Sequence, residues 1–394
     1  MPKKKDFASI MNTAFQKHSL MGLWVNRLMG SRDHRCLLPI NPSTHQLISI
    51  RLFVLLFCCL FISGAIAENA LPRSMRQAVE EGIERTIMND FSGAAAIFRE
   101  MIAAEPDNPC GYFYLGATLQ AEMLDLENYA RLDTFNQLME QTIDLAKARR
   151  ENNPQDVWAL FFEGSAYLYR SFMDSKRKKM WGAYRNAVKG AGRLEEAIRR
   201  DSTFYDAYLG VGSYKYWKSS KAGALTWLPF LADDRELGIE MVETAIDRGQ
   251  FVKLVGRDQL AWILIDRGEM ARALELARDN HRRYPESRFF LWTLAEIYYR
   301  SEQWDAALPR YRELLEAVQV LPENNHYNEI NCLLHLAEIH FQRGEFEQAE
   351  ARALDLLALR PEEIVWKRTD RKRERARELI DMCRREKAGE RLVQ

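Results

Sequence analysis

The only residues of this sequence whose types and spacing resemble a metal site are His335, Glu338 and His340. On a helix the two histidines lie five positions apart, so they do not share one face as a pair four positions apart does. The sequence also lacks a phosphate-binding loop, a dinucleotide fingerprint, a nucleophile elbow and a paired-cysteine zinc spacing. We therefore expect a protein that is not an enzyme and that has no metal and no cofactor.

A repeated sequence pattern indicates which structural elements hold the functional residues in position. Glycine recurs 48 residues apart, each time within a similar pattern of apolar residues, at Gly116, Gly164 and Gly212. Farther along the chain the same pattern continues at a shorter period, with alanine at the glycine position, at Ala261, Ala295 and Ala337. A fixed period of this length indicates supersecondary units that stack on one another.

The pattern resembles the tetratricopeptide repeat, whose signature is W-x2-L-G-x2-Y…A-x3-F…P over 34 residues. The fifth unit carries Leu260-Ala261-x-x-Leu264 with Ala273 and Pro285, and the seventh carries Leu333-x-x-Leu336-Ala337-x-x-His340 with Ala349 and Pro361. No unit has the full set, and the signature tryptophan is replaced throughout. The resemblance covers about residues 75–363 and implies an all-α, right-handed α-solenoid of about seven helical hairpins.

The unit boundaries follow from this register. Units two to four begin near Pro109, Val157 and Tyr205, and units five to seven near Leu254, Arg288 and Ile330. Units two to four are 14 residues longer than the standard repeat, which corresponds to about two extra turns in each helix. We therefore expect three elongated hairpins within a solenoid that spans residues 68–363. Residues 364–394, with 11 Lys/Arg and six Asp/Glu, are expected to form a basic helix that caps the last repeat.

In the tetratricopeptide family, fixed positions of the first helix of each unit point into a concave groove. Carried over by register, these positions hold a set of aromatic residues: Phe113, Trp158, Phe161, Tyr169, Tyr216, Trp217, Trp262, Phe289, Trp292, Tyr299 and Phe341. Two interpretations are open. The aromatic residues of units three and four could pack on one another as core, or the set could form an exposed groove for a peptide or partner helix.

The first 67 residues read as a lead and an export signal. Residues 52–66 form a 15-residue apolar run preceded by Arg51, and small residues precede a predicted cleavage between Ala67 and Glu68. The run is short for a membrane span. Either translation begins near Leu47, or the long lead is real and the uncleaved run anchors the chain beside a membrane.

Removal of residues 1–67 changes the net charge from zero to −6, since 48 Lys/Arg and 54 Asp/Glu remain. A mildly acidic chain has no general electrostatic attraction to nucleic acid. The sequence therefore favours an exported, periplasmic or envelope-associated scaffold that binds a protein partner. The alternative is a carrier that holds an apolar small molecule or lipid in an aromatic cavity.

Overall fold

The computed structural model describes residues 71–222, 233–322 and 324–393. These ranges contain sixteen α-helices and no strand. The predicted lead, apolar run and cleavage site at Ala67 and Glu68 lie outside the described residues. Within the described ranges, no helix is both long and apolar enough to cross a membrane.

The helices form seven consecutive antiparallel pairs followed by two more helices. In chain order they are α1 (Arg73–Ile87), α2 (Phe91–Ala104), α3 (Pro109–Leu126), α4 (Leu132–Asn152), α5 (Val157–Lys176), α6 (Met180–Arg200), α7 (Asp206–Ala222), α8 (Arg235–Arg248), α9 (Lys253–Arg267), α10 (Met270–Arg283), α11 (Arg288–Arg300), α12 (Trp304–Gln319), α13 (Tyr327–Gln342), α14 (Phe346–Ala358), α15 (Glu363–Arg368) and α16 (Asp370–Val393). The all-α solenoid of seven hairpins expected from the sequence is confirmed.

The first helices of units two to seven begin at the predicted residues or within three residues of them. Units two and three start at Pro109 and Val157, and unit six starts at Arg288. A polar side chain precedes several of these helices and accepts a hydrogen bond from a backbone N–H of the first turn. Asn108 accepts from Cys110 and Asp156 from Ala159, at 3.1 and 2.9 Å. These caps end the preceding loop and fix each start.

Units two and three are elongated as predicted. Helices α3 to α6 have 18, 21, 20 and 21 residues, whereas the six helices α9 to α14 have 13 to 16. In unit four, α7 has 17 residues and α8 has 14, and residues 223–232 between them lie outside the described ranges.

Close backbone approach holds the elongated hairpins together. A Cβ atom added at Gly164 of α5 would lie 2.9 Å from the carbonyl oxygen of Gly190 of α6, and one added at Gly190 would lie 2.7 Å from that of Gly164. Gly212 and Gly238 repeat this contact in unit four, 48 residues later, at 2.6 and 2.7 Å. Only glycine permits these distances. The 48-residue spacing of the first glycines was visible in sequence, and Gly190 and Gly238 share it.

The C-terminal tail differs from the single long helix expected over residues 364–394. Helix α15 ends at Arg368 and α16 begins at Asp370, with Thr369 between them. The Thr369 hydroxyl donates to the Val365 carbonyl, and Arg373 reaches back to the Trp366 carbonyl at 2.7 Å. Thr before Asp is a helix-start signal. Helix α16 packs on α14 and α13, with Leu379 and Cys383 fully buried.

Candidate functional site

The predicted groove residues fall into two groups that differ in burial. Four are buried and seven are half-buried. The buried ones are Phe113, Trp158, Phe161 and Tyr216, with exposed fractions of 3%, 6%, 4% and 1%. The half-buried ones are Tyr169, Trp217, Trp262, Phe289, Trp292, Tyr299 and Phe341.

In units two and three the aromatic rings pack on one another. The Phe113 ring centroid lies 5.2 Å from Tyr169 and 6.2 Å from Phe161, edge to face in both pairs. Trp158 lies 4.7 Å from Phe204 and 5.6 Å from Phe161, with the same geometry. For unit three this is the core packing that the sequence left open as an alternative for units three and four, and the structure extends it to Phe113 of unit two. A peptide or an apolar small molecule bound here would have to displace rings that contact each other.

A turn from later in the chain covers this cluster. Phe251, between α8 and α9, is buried and lies 5.7 Å from Trp158 and 6.3 Å from Tyr114. The Asp206 carboxylate holds the turn, because it accepts hydrogen bonds from the backbone N–H groups of Gln250 and Phe251 at 2.9 and 2.7 Å. Burial raises the pKa of Asp206, and these hydrogen bonds oppose the rise. Asp206 therefore helps to close the aromatic core rather than to face a ligand.

The first units also contact the sixth unit directly. The Ser287 hydroxyl donates to the Ile87 carbonyl at 2.6 Å, and the Arg288 backbone N–H donates to the Asn89 side chain at 2.9 Å. The Arg288 guanidinium pairs with the Asp125 carboxylate, 2.6 Å between Nη2 and Oδ2. Asp125 lies in the last turn of α3. We call this set of contacts the clasp.

The seventh unit and the tail extend the clasp at the end of α3. The last carbonyl groups of a helix have no partner within the helix. Here the side chains of Asn328 and Asn325 donate to the carbonyls of Asp125 and Leu126, at 2.6 and 3.2 Å. Arg368 donates to the Glu127 carbonyl at 2.9 Å and pairs with its carboxylate. A cation at this position also interacts favourably with the helix dipole. Sequence reasoning missed the clasp, because its polar residues follow no repeat spacing.

The half-buried aromatic residues of units four to seven form a second surface. Five of them pack partly against the core and keep part of each ring outside it: Trp217, Trp262, Trp292, Tyr299 and Phe341. We call these five residues the aromatic face. They lie on α7, α9, α11 and α13, the first helices of four successive hairpins. Trp217 contacts Tyr216, Tyr299 contacts Trp304 and Tyr311, and Phe341 contacts Phe346, each edge to face. Among the described residues, however, no ring contact joins two members of the aromatic face, whereas the rings of units two and three contact one another.

Polar contacts between neighbouring first helices hold the aromatic face in place. The Tyr216 hydroxyl of α7 donates to Asp266 of α9 at 2.8 Å, and the Tyr299 hydroxyl of α11 donates to Glu338 of α13 at 2.7 Å. Between α9 and α11, the Arg300 guanidinium lies over the Trp262 ring at 5.9 Å. These contacts join the four helices in series, so the aromatic residues are held on a preformed surface.

A buried carboxylate fixes one member of this face. Asp258 is fully enclosed between α9 and α11, where it accepts hydrogen bonds from the Thr293 hydroxyl at 2.6 Å and from the Trp262 side chain. Burial raises the pKa of Asp258 to about 7, and the two hydrogen bonds oppose the rise. The indole of Trp262 is therefore oriented by a group whose charge changes near neutral pH.

The residues that resembled a metal site have other partners. The His335 ring stacks on Tyr311 with 4.5 Å between centroids, and His340 hydrogen-bonds Glu345. Glu338 accepts from Tyr299 and from Arg375 at 2.7 and 3.0 Å. Throughout the described ranges, no three His, Cys, Asp or Glu side chains are grouped to hold a metal ion.

Comparison with known proteins gives a family match in the C-terminal part. Residues 288–362 match the family model described as Tetratricopeptide repeat. No curated protein matches this chain.

Several solved structures are similar in fold. A thermophilic tetratricopeptide repeat protein of Thermus thermophilus is 14% identical, with 57% of this chain and 98% of that chain covered and a TM-score of 0.37. The C-terminal part of a repeat-containing protein of Cytophaga hutchinsonii is 17% identical, with 73% and 98% covered and a TM-score of 0.37. The human IFIT1 dimer with PPP-AAAA is 14% identical, with 76% and 69% covered and a TM-score of 0.40.

The family match identifies units six and seven as tetratricopeptide repeats, and the helical hairpins that precede them continue the same order of elements.

Proposed function

We propose that this protein is a non-catalytic scaffold that binds a protein partner, as a peptide or a helix, on the aromatic face. Tetratricopeptide repeats generally serve in protein–protein interaction, which supports the class of function. The observation that carries the proposal is the series of half-buried aromatic side chains on four successive first helices, at Trp217, Trp262, Trp292, Tyr299 and Phe341.

A partner that covers the aromatic face would gain binding energy from its rings. Tryptophan and tyrosine are the residues most enriched among those that dominate binding energy, at about 2 kcal/mol or more each when a partner encloses them. Half-buried rings on packed helices lose little conformational freedom on binding, because neighbouring contacts already hold them. The rings of units two and three are already buried, so a partner would gain no comparable binding energy from them. The binding surface we propose is therefore the C-terminal part of the predicted groove.

We also propose that the protein acts outside the cytoplasm, in the cell envelope. The support is the 15-residue apolar run at residues 52–66, with small residues before a cleavage between Ala67 and Glu68. N-terminal sequencing of the native protein tests this. A mature chain that begins at Glu68 in the envelope fraction is the expected result, and a chain that begins at Met1 in the cytosol would contradict it.

Site-specific photo-crosslinking tests the binding surface. A photoreactive phenylalanine analogue replaces Trp262 or Trp292 in one set of cells and Val320 in a control set. Val320 is 79% exposed and follows α12, a second helix of its hairpin, whereas the aromatic face lies on first helices. We expect one protein to be crosslinked from both tryptophan positions and not from Val320. Crosslinks of equal yield from all three positions, or from Val320 alone, would contradict the proposal.

A further inference from the structure

The end of the third hairpin carries an unusual concentration of exposed apolar side chains. Ten large apolar side chains are exposed among the described residues, and five of them lie on α5 and α6: Phe172, Met180, Trp181, Tyr184 and Val188. Trp181 is 61% exposed and Met180 is 56% exposed. Single exposed apolar residues are ordinary on a protein surface, but a cluster of this size usually marks an interaction site.

These residues lie beside the loop that joins α5 to α6. Only three residues, 177–179, join α5 to α6, and these helices have 20 and 21 residues. Trp181, Tyr184 and Val188 recur three and four positions apart and therefore share one side of α6. The rings of Trp181 and Tyr184 stack with 6.0 Å between centroids. The cluster thus forms an exposed apolar ridge along α6, beside the loop that joins the two long helices.

The same end is strongly basic. Residues 172–189 contain six Lys/Arg and a single acidic residue, Asp174. Lys176 is paired with Glu127 at 3.4 Å, and Lys189 lies over the Tyr167 ring at 5.4 Å. The other cations at the loop are Arg177, Lys178 and Lys179, which are exposed. None of these three forms an ion pair with any described residue.

We propose that this end of the hairpin, residues 177–188, contacts the surface of an anionic lipid bilayer. A helix that combines exposed Trp and Met with adjacent Lys and Arg has the composition of an interfacial contact, in which apolar groups enter the headgroup boundary and cations meet acidic lipids. A second copy of the chain, end to end, would bring like charges together. A bilayer surface matches an exposed apolar ridge that carries Trp181 next to exposed cations.

Hydroxyl-radical footprinting of the full chain tests the proposal residue by residue. Residues 52–66 could hold the chain at a membrane by themselves, so the readout must be local. Vesicles of phosphatidylcholine with about 30% phosphatidylserine are compared with phosphatidylcholine vesicles and with soluble polyglutamate. We expect the anionic vesicles alone to protect Met180 and Trp181, and the protection to be lost at about 0.5 M salt, where charge attraction is screened. Trp366 serves as an internal reference that stays unchanged.

Charge reversal provides a matched control. The variant Lys178→Glu/Lys179→Glu should lose the protection of Met180 and Trp181, with at least about a tenfold weaker local affinity for anionic vesicles. The variant Arg99→Glu/Lys253→Glu makes the same net charge change at exposed positions elsewhere and should keep the protection. Two results would overturn the proposal: anionic vesicles that leave Met180 and Trp181 unprotected, or polyglutamate that protects them equally. The second result would assign the surface to an acidic polypeptide.

Discussion

Arg288 and Asp125 lie 163 positions apart and form an ion pair whose side chains are 16% and 8% exposed. The pair joins the start of α11 in unit six to the last turn of α3 in unit two. Standard repeats contact mainly their neighbours in sequence. This contact and the other polar contacts of the clasp join units that are four or five repeats apart. The consequence is a solenoid whose N-terminal and C-terminal parts stabilise each other.

The clasp predicts a large effect for a single carboxylate. Asp125→Ala leaves the Arg288 guanidinium mostly buried without its partner, so the free energy of unfolding should fall by about 2–4 kcal/mol. Denaturant titration measures this. The control is Asp144→Ala, because Asp144 is 69% exposed in a 3.5 Å pair with Lys147 and should change stability by no more than about 0.5 kcal/mol. Equal midpoints for the two variants would contradict the structural role of the clasp.

Two glycines of one helix should respond oppositely to the same substitution. At Gly190→Ala the new methyl group would lie 2.7 Å from the Gly164 carbonyl oxygen, so the helices must separate and stability should fall by about 1–3 kcal/mol. At Gly192→Ala nothing lies within 4 Å, and the better helix propensity of alanine should raise stability by roughly 0.5–1 kcal/mol. Circular dichroism during urea unfolding compares them. Shifts in the same direction would show that the α5–α6 contact is wrong.

Asp258 predicts a pH dependence of stability. Its folded-state pKa is raised to about 7 by burial, above the ordinary value of 3.8. A group with a raised pKa contributes stability that is fully present below its unfolded pKa and is lost as the pH rises through the folded pKa. The wild type should therefore lose stability relative to Asp258→Asn between about pH 4 and about pH 8, by a few kcal/mol. Other titratable groups, such as His335, are present in both proteins, so their contributions cancel in the difference between the two stabilities. A difference that stays constant over this range would contradict the prediction.

The sequence predicted the repeats better than the surfaces. Gly164 and Gly212 and the small residues that follow them recur at a fixed spacing, because every hairpin needs a close helix contact at the same point. Burial of Trp158 and Phe161 was not decided by that spacing, since core and groove aromatics share one helical period. Phe204 packs on both rings, and Phe251, which the Asp206 turn brings in, covers Trp158. The contact between Phe251 and Trp158 depends on how successive units pack on one another, which the sequence pattern of a single unit does not determine.

Other features had no sequence pattern at all. Asn325, Asn328 and Arg368 cap the end of α3 from 199, 203 and 241 residues away. Polar residues in loops and at helix ends, where these three lie, are common enough to carry no signal. The exposed ridge at Trp181 is also ambiguous in sequence, because an apolar stripe on a helix usually faces a core. Only the packing of α6, which buries its opposite side through Ala183 and Gly190, shows that Trp181 stays outside.

The proposed function requires that the predicted groove residues divide into a packed N-terminal core and an accessible C-terminal face. Hydroxyl-radical footprinting of the free, full-length wild-type chain measures each tryptophan separately. Trp181 should be modified fastest, Trp262 and Trp292 at intermediate rates, and Trp158 slowest, in line with their exposure. If Trp262 and Trp292 prove as protected as Trp158, they belong to the core, and the aromatic face is not a binding surface.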